Sequence, residues 1–427
     1  MTQPHRHTYT DVTVSTHPPS PPTPPRPTRV LTWLLLLALV CSRLNGLAGL
    51  PARVFAQEGT STAAAETGQA GDAVPEPPDI SAAAAYVVDV SIDTPLYARS
   101  ADERRPPASL VKMMTAIVAH EHAALDDQVV IVAADEVDDE VFSHMGLVAG
   151  DTVTVEQLLY GLLVPSGNDA ANALARHVGA IIASGDAAAA AASVAAFVAA
   201  MNERAAALGM ANTHFVNPAG EDVDDQYASA RDLATLARVL MEDQKLSEIV
   251  ASREYQTVSV GPELRPYGDA GILFNTNNLL AEPGVHGVKT GTTAAAGGNL
   301  VTATYFAGDN RVVAVVLGSP YEIDPATEQA IVDERYPDTD AIFAALVNDY
   351  RWFDPAIPGT VPGLDDEMGA WQVAMPPGPA VVVPADQIED FRYALRLGPP
   401  GEPNSEVGKV LFFVADRPVG ERPLVQT

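Results

Sequence analysis

Three short motifs follow one another along the chain on segments that predict different secondary structure. Ser109-Leu110-Val111-Lys112 opens a predicted helix, Ser166-Gly167-Asn168 follows Pro165 at a predicted helix junction, and Lys289-Thr290-Gly291-Thr292-Thr293 comes at the end of a predicted strand. Each motif offers a hydroxyl together with an amine or an amide. A fold that uses all three must pack a helical block against a strand formed much later in the sequence.

Lysine usage draws attention to two of these positions. The chain contains four lysines, Lys112, Lys245, Lys289 and Lys409, and carries its other basic charge as arginine. An arginine stays protonated at working pH, whereas a buried lysine can lose its proton. Two of four lysines lie within the motifs, which favours a chemical need for an amine there.

The first motif has the composition of an activated nucleophile. A serine hydroxyl needs a base within hydrogen-bond reach, and residues three apart share one helix face. Desolvation, or a second cation such as Lys289, would lower the pKa of Lys112 so that it accepts the proton of Ser109. Alternatively, Ser109 is a helix N-cap and Lys112 is solvated.

The second motif offers a hydroxyl and an amide beside a turn. In the functional interpretation, Ser166 relays a proton to a leaving amine and Asn168 donates a hydrogen bond to a substrate amide. The alternative is an ordinary turn with a capping serine or asparagine.

The third motif offers polar groups at a strand end. Thr290 or Thr292 would bind a substrate carboxylate, and Gly291 would let a substrate chain approach the backbone. The N–H of Thr292, together with that of Ser109, would form an oxyanion hole. The alternative is a plain turn after a strand, but chance would rarely supply all three motifs in order on suitable elements.

The composition limits the partners and the cofactors. A net charge of -30 opposes binding to nucleic acid. Cys41 is the only cysteine, so we expect neither a disulfide framework nor a thiolate metal cluster. His120 and His122 are two residues apart and face different sides of a helix, so we predict no metal site there and no cofactor.

The N-terminal region predicts export. An apolar stretch at 30–41 follows Arg26 and Arg29 and is too short to span a bilayer. Small residues before Ala56 predict a secretory signal cleaved there, with an uncleaved anchor as the alternative and membrane contact only in that case. The predicted organisation begins with an N-terminal extension and signal (1–56) and a linker (57–82). An α/β catalytic domain (83–352), a second linker (353–370) and a small all-β domain (371–427) follow.

The chain resembles the D-alanyl-D-alanine carboxypeptidases, which are low-molecular-mass penicillin-binding proteins with serine-x-x-lysine, serine-x-asparagine and lysine-threonine-glycine motifs. The resemblance covers roughly residues 83–352 and extends beyond the motifs. Its blocks are 105–115, 150–171, 201–210, 213–218, 275–280 and 287–291.

This resemblance implies an α/β (α+β) serine β-lactamase/transpeptidase-like catalytic domain. Ser109 would attack the carbonyl between two terminal D-alanines of a peptidoglycan stem peptide, and water would release the acyl-enzyme. β-Lactam antibiotics would acylate the same serine. The implied catalytic residues are Ser109, Lys112 and Ser166, and the implied substrate-binding residues are Asn168, Lys289, Thr290, Gly291, Thr292 and Arg335.

Some features depart from the family pattern. Arg335 resembles the arginine that holds the substrate carboxylate, but the preceding segment is longer than usual and a surface arginine is the alternative. Glu221 replaces an apolar residue and opens an acidic loop with Asp222, Asp224 and Asp225; we predict a solvated loop, with calcium binding as the alternative. The alanine-rich stretch near Ala187 resembles an insertion, and we expect no C-terminal amphipathic anchor of the kind that many members carry.

Related functions remain as alternatives. A D,D-endopeptidase would use the same scaffold and motifs. A class A β-lactamase would need a deacylating glutamate, yet no Glu-x-x-Leu-Asn element follows Asn168. A non-catalytic cell-wall binding protein would not need the intact Ser109, Lys112 and Lys289.

Overall fold

A computed structural model describes residues 74–138, 142–183, 190–261, 264–306, 310–324, 327 and 330–427. The predicted signal or anchor, most of the first linker and the insertion near Ala187 lie outside these residues.

The helices of the described residues fall mainly in the middle of the chain. In chain order they are α1 (Lys112–His122), α2 (Val155–Leu163), α3 (Asn168–Ile182), α4 (Ala190–Ala207), α5 (Ala230–Glu242), α6 (Gln244–Ala251), α7 (Arg335–Asp349) and α8 (Leu364–Trp371). Short 3-10 turns occur at Ala108–Val111, Asn278–Ala281 and Ala385–Asp390.

The strands lie before and after the helical block. In chain order they are β1 (Ala84–Asp89), β2 (Thr94–Arg99), β3 (Gln128–Val130), β4 (Thr152–Thr154), β5 (Glu254–Gln256), β6 (Ile272–Phe274), β7 (Val285–Thr293), β8 (Gly297–Phe306), β9 (Asn310–Ser319), β10 (Tyr321–Ile323), β11 (Ala330–Asp333), β12 (Tyr350–Phe353), β13 (Val373–Ala374), β14 (Val381–Pro384), β15 (Phe391–Leu397), β16 (Glu406–Val414) and β17 (Arg417–Gln426).

The central sheet is antiparallel, with the order β2-β1-β9-β8-β7. Both of its faces are buried, because alternate residues of a strand enter different cores. On β9, Val313 and Val315 pack with the helical block, whereas Val312 and Val316 pack with α7 and the first strands. This explains why the sequence of β9 is almost continuously apolar.

The periodicity of apolar residues predicts strands at 86–90, 95–98, 285–289, 299–306 and 311–317 and helices at 154–163, 168–178, 229–242 and 341–350. The structure has a strand or a helix at each of these places, with the last helix beginning earlier, at Arg335. The structure adds short elements that the sequence did not predict. Helix α6 and the small pairs β3–β4, β5–β6 and β10–β11 lack a long periodic pattern, and their partners are distant in the sequence.

Helix α2 leads directly into the second motif. Thr154 forms a capping box, since its Oγ1 accepts from the Gln157 N–H at 3.1 Å and the Gln157 Oε1 accepts from the Thr154 N–H at 2.9 Å. The apolar face of α2, including Leu158 and Leu162, is fully buried. The cap fixes where this helix begins, and the buried face fixes its orientation against the core.

The C-terminal residues form a separate small sheet with the order β13-β17-β16-β15 around Phe391, Phe412 and Leu424. Within the segment 353–370, which the sequence predicts as a linker, α8 buries Leu364 and Met368 against this core. In the described segments, no helix has both the length and the apolar character that crossing a bilayer requires.

Replacement of Thr154 by alanine should lower the free energy of unfolding by about 1 kcal/mol, because the Gln157 N–H loses its acceptor. Urea unfolding followed by circular dichroism measures the change. Thr152→Ala is the control, since it removes a hydroxyl from the same strand outside the cap. Equal losses in both variants would contradict the role of the cap.

Candidate active site

The first motif begins in a 3-10 turn, Ala108–Val111, and α1 starts at Lys112. The sequence predicted one continuous helix from Ala108. In a 3-10 turn, residues i and i+3 are eclipsed, which brings the Lys112 Nζ to 2.7 Å from the Ser109 Oγ. Ala108 has a φ of 51°, which turns the chain sharply before the serine.

The Lys112 side chain is fully buried. Its Nζ also donates to the Oδ1 of Asn168 at 2.7 Å, so the first two motifs are in direct contact. Burial lowers the pKa of Lys112 to about 7, against the opposing effect of the Asp169 and Glu221 carboxylates. At neutral pH, a large fraction of this amine is therefore unprotonated and able to accept a proton.

The second motif lies in a tight turn between α2 and α3. Ser166 is buried and has a φ of 68°, a conformation that non-glycine residues rarely adopt. Its carbonyl accepts from the Ser143 hydroxyl at 2.8 Å, and the Asn168 N–H donates to the Ser143 carbonyl at 2.8 Å. The neighbouring loop thus stabilises the strained turn.

Asp169 connects this loop to the start of α3, and no sequence motif predicted a role for it. Its buried carboxylate accepts from the N–H groups of Met145, Gly146 and Leu147 at 2.9–3.2 Å, and from its neighbour Ala170. An ionised carboxylate with several N–H donors makes strong, charge-assisted hydrogen bonds. Asp169 therefore fixes the loop that lies beside Ser166 and Asn168.

The third motif forms the last five residues of β7, and the strand extends past Lys289 because the pairing with β8 continues to Thr293. Gly291 faces the nucleophile segment. A Cβ there would lie 3.0 Å from the Pro107 carbonyl oxygen and 3.2 Å from the Leu110 N. The missing side chain thus allows β7 to approach the first motif, whereas the sequence analysis related this glycine to the approach of a substrate.

Lys289 is almost completely buried, and its Nζ donates to the Thr290 carbonyl at 3.0 Å. Burial, followed by repulsion from the charges of Lys112 and Arg335, holds the pKa of Lys289 well below its usual value. Lys289 is therefore close to Lys112, but its own depressed pKa favours the neutral amine and not the second cation that the sequence predicted. The depressed pKa of Lys112 itself results from burial.

Arg335 is buried with 3% of its surface exposed, which excludes the surface alternative. It is the first residue of α7. Its guanidinium donates to the Thr292 hydroxyl at 2.7 Å, to the carbonyls of Gly291 and Asn299 at 3.1 and 3.2 Å, and to the Asp333 carboxylate at 2.6 Å. The arginine therefore joins the site through the backbone and hydroxyl of the third motif.

Two further polar side chains, which the sequence analysis missed, position the motifs. Asn299 on β8 is fully buried, and its Nδ2 donates to the carbonyls of Pro106 and Pro107 at 3.0 and 3.2 Å. The Thr276 and Thr290 hydroxyls share a hydrogen bond of 2.5 Å. The sequence signal for Thr276 was its place in the block 275–280, but nothing in the sequence distinguishes Asn299.

The acidic loop that follows Gly220 is not simply solvated. The Asp222 side chain is exposed, yet its carboxylate accepts from the Thr293 hydroxyl at 2.7 Å and from the Ala295 N–H at 3.1 Å. Across the residues that the structure describes, no group of three or more histidine, cysteine, aspartate or glutamate side chains could hold a metal ion. The Asp222 hydrogen bonds thus connect the acidic loop to the end of the third motif and to the turn that follows it.

Comparison with known proteins gives consistent matches. The model of the D-alanyl-D-alanine carboxypeptidase family matches residues 72–321. The D-alanyl-D-alanine carboxypeptidase of Streptomyces sp. strain K15 is 38% identical over 249 residues, which are 57% of this chain and 82% of that protein. The D-alanyl-D-alanine carboxypeptidase DacC of Escherichia coli strain K12 is 30% identical over 408 residues, covering 90% of this chain and 91% of that protein.

Solved structures show the same likeness. The Streptomyces K15 DD-transpeptidase has a TM-score of 0.55 and 34% identity, and the match covers 63% of this chain and 97% of that chain. Penicillin binding protein 6B from Escherichia coli has a TM-score of 0.58 and 26% identity, with coverage of 83% and 98%. The predicted fold class is confirmed.

Replacement of Asp169 by asparagine should lower the free energy of unfolding by about 1–3 kcal/mol, because an NH₂ group would then face backbone N–H donors. Urea unfolding measures the loss. Asp126→Asn makes the same chemical change at an exposed position. A loss no larger than that of this control would show that Asp169 does not hold the loop.

Proposed function

The chain belongs to the D-alanyl-D-alanine carboxypeptidase family, and we propose that Ser109 is the nucleophile with which it removes the terminal D-alanine from peptidoglycan stem peptides. It is a serine-type carboxypeptidase of the penicillin-binding class. The observation that carries the proposed mechanism is the 2.7 Å contact between Ser109 and a fully buried Lys112 with a pKa of about 7. A serine beside an amine that is partly neutral at working pH is equipped for acyl transfer.

In the proposed acylation step, the neutral Lys112 accepts the hydroxyl proton as the Ser109 Oγ attacks the carbonyl between the two D-alanines. Asn168 supports this step, because its Oδ1 accepts from the amine and so orients the nitrogen lone pair. The Asn168 Nδ2 is then the end of the amide that donates to a substrate carbonyl.

The tetrahedral intermediate carries a negative oxygen, for which the N–H groups of Ser109 and Thr292 are the proposed donors. The proton taken by Lys112 passes through the Ser166 hydroxyl to the departing amine, and D-alanine leaves. Water then attacks the acyl-enzyme with Lys112 as the base, which regenerates the Ser109 hydroxyl.

The proposed site for the substrate's terminal carboxylate lies along β7. Arg335 donates to the Thr292 oxygen, so the Thr292 hydroxyl proton can point away from the arginine and towards a substrate carboxylate. Thr290 offers a second hydroxyl, and the Lys289 amine adds a third polar group to the same strand. A buried arginine behind this row favours an anion there.

The position of β7 supports binding of an extended peptide. It is the last strand in the order β2-β1-β9-β8-β7, so among the described residues one side of its backbone has no strand partner in that sheet. An extended substrate can add to such an edge through main-chain hydrogen bonds. This arrangement would lay the stem peptide across Gly291 beside Ser109.

A second candidate function is transfer to an amine or cleavage of peptide cross-links by the same acyl-enzyme. The specific observation is that a solved neighbour is described as a DD-transpeptidase. Both activities share the acylation step and differ in the acyl donor or acceptor.

Because stem peptides are extracytoplasmic, we also propose that the chain is exported, as its N-terminal segment predicts.

The first test is release of D-alanine from a tripeptide ending in L-Lys-D-Ala-D-Ala. The wild type should release it, whereas Ser109→Ala should lose activity by at least about 1,000-fold, because the nucleophile is gone. Adding glycine as an amine acceptor and quantifying the products separates hydrolysis from transfer. Equal release by both proteins would remove Ser109 from the mechanism.

The second test is the pH dependence of acylation by a fluorescent penicillin. The base must be neutral, and the pKa of Lys112 is lowered to about 7. The second-order acylation rate should therefore rise about tenfold per pH unit below pH ~7 and level off above it.

Lys112→Arg is the matched variant, because a guanidinium remains charged at every accessible pH. It should lose nearly all acylation while its unfolding midpoint shows whether it is folded. Wild-type acylation rates in a folded Lys112→Arg protein, or a wild-type rate that is flat between pH 5 and 8, would refute the role of Lys112 as base.

A further inference from the structure

We propose that Asp222 is a positioning residue for the oxyanion hole, and that the segment 217–222 braces the nucleophile turn against the end of β7. This proposal rests on the proposed function, since it concerns the N–H donors of Ser109 and Thr292. The brace is a hydrogen-bonded loop with one end on the backbone next to Ser109 and the other on the turn that follows Thr292.

The loop is internally fixed. The Asn217 Oδ1 accepts from the N–H groups of Ala219, Gly220 and Glu221 at 2.7–3.2 Å. The Gln226 side chain reinforces the turn, because its Oε1 accepts from the Asn217 N–H at 3.0 Å and its Nε2 donates to the Glu221 carbonyl at 2.8 Å. A loop with this many internal bonds transmits a displacement of one end to the other.

One end of the brace lies on the nucleophile segment. Gly220 has a φ of +94°, and a Cβ there would lie 2.0 Å from the Ala108 carbonyl oxygen and 2.8 Å from the Ser109 N. The Thr115 hydroxyl on α1 donates to the Pro218 carbonyl at 2.7 Å. The backbone that carries the Ser109 N–H is thus packed directly against the loop.

The other end holds the turn between β7 and β8. The Asp222 Oδ1 accepts from the Thr293 hydroxyl at 2.7 Å, and its Oδ2 accepts from the Ala295 N–H at 3.1 Å. The Thr293 hydroxyl oxygen in turn accepts from the Ala296 N–H at 3.1 Å. Asp222 therefore fixes the residue directly after Thr292 and the turn beyond it.

Direct packing at Gly291 holds β7 against the nucleophile turn. Beyond this contact, an open cleft of about 300 Å³ is lined in part by Pro107, Ala108, Glu221 and Ala295. Across this space, the Asp222 hydrogen bonds are the connection from the loop to the end of β7. Oxyanion donors must be aligned before the reaction occurs, so loss of the connection should affect the transition state more than the bound substrate.

The exposure of Asp222 makes the proposal testable. An exposed side chain adds little to global stability, so its removal should change the alignment of the site in a folded protein. Asp222→Ala removes both acceptors, and Asp222→Asn keeps the shape but removes one acceptor. Asp224→Asn is the matched control, because it changes the same charge at an exposed position of the same loop.

The experiment measures kcat and KM on the tripeptide, and the affinity for a boronic acid that forms a tetrahedral adduct on Ser109. In Asp222→Ala, kcat and boronic acid affinity should both fall about 10- to 100-fold with KM nearly unchanged, because a displacement of about 1 Å has an effect of this size. Asp224→Asn should stay within twofold of the wild type by the same measures.

Variants at Thr293 approach the same contact from the other side. Thr293→Val should reproduce the loss, whereas Thr293→Ser keeps the hydroxyl and should retain most of the kcat. The double variant Asp222→Ala/Thr293→Val should lose less than the sum of the two single losses, since both single variants remove the hydrogen bond between Asp222 and Thr293. Unfolding midpoints equal to that of the control establish that each variant is folded.

Two results would overturn the proposal. One is a folded Asp222→Ala protein whose kcat and boronic acid affinity match those of Asp224→Asn. The other is a rise in KM without a fall in kcat, which would assign Asp222 to substrate binding. Failure of this proposal can be distinguished from failure of the proposed function. In the latter case, Ser109→Ala would retain activity whatever the Asp222 variants do.

Discussion

The burial of one amine determines most of what this active site can do. Lys112 lies between the Ser109 hydroxyl and the Asn168 amide, with no exposed surface. A charged ammonium in such a place would be costly, and the depressed pKa of about 7 is the consequence. The helical block that surrounds α1 therefore has a chemical effect as well as a structural one, because it keeps water away from the base.

Close approach of backbone segments brings the third motif to this amine. Gly291 lets β7 lie against the nucleophile turn, and Gly220 does the same for the acidic loop on another side. Asn299 connects the residues before the turn to β8. Ala108 and Ser166 adopt positive φ values in the same region. Such backbone strain persists only where the surrounding contacts determine the conformation.

The site collects basic side chains, although the whole chain is acidic. The net charge is -30, yet Lys112, Lys289 and Arg335 are buried near one another. Burial lowers the pKa of both lysines, and repulsion from Lys112 and Arg335 lowers that of Lys289 further, whereas an arginine keeps its charge. The result is a site with neutral amines for proton transfer and one arginine, paired with Asp333, beside the hydroxyls proposed to bind a carboxylate.

The order of the motifs, the long elements that carry them and the family can be predicted from the amino-acid sequence, since these depend on local periodicity and on residue spacing. The sequence could not give the 3-10 turn at Ser109, the inclusion of the third motif within β7, or the buried environment of Arg335. The hydrogen bonds of Asp169, Asn299 and Asp222 likewise appear only in the tertiary structure. Each of these features depends on contacts between residues far apart in the chain. A shifted pKa or a hydrogen bond between such residues exists only once folding has brought them together and removed the water between them.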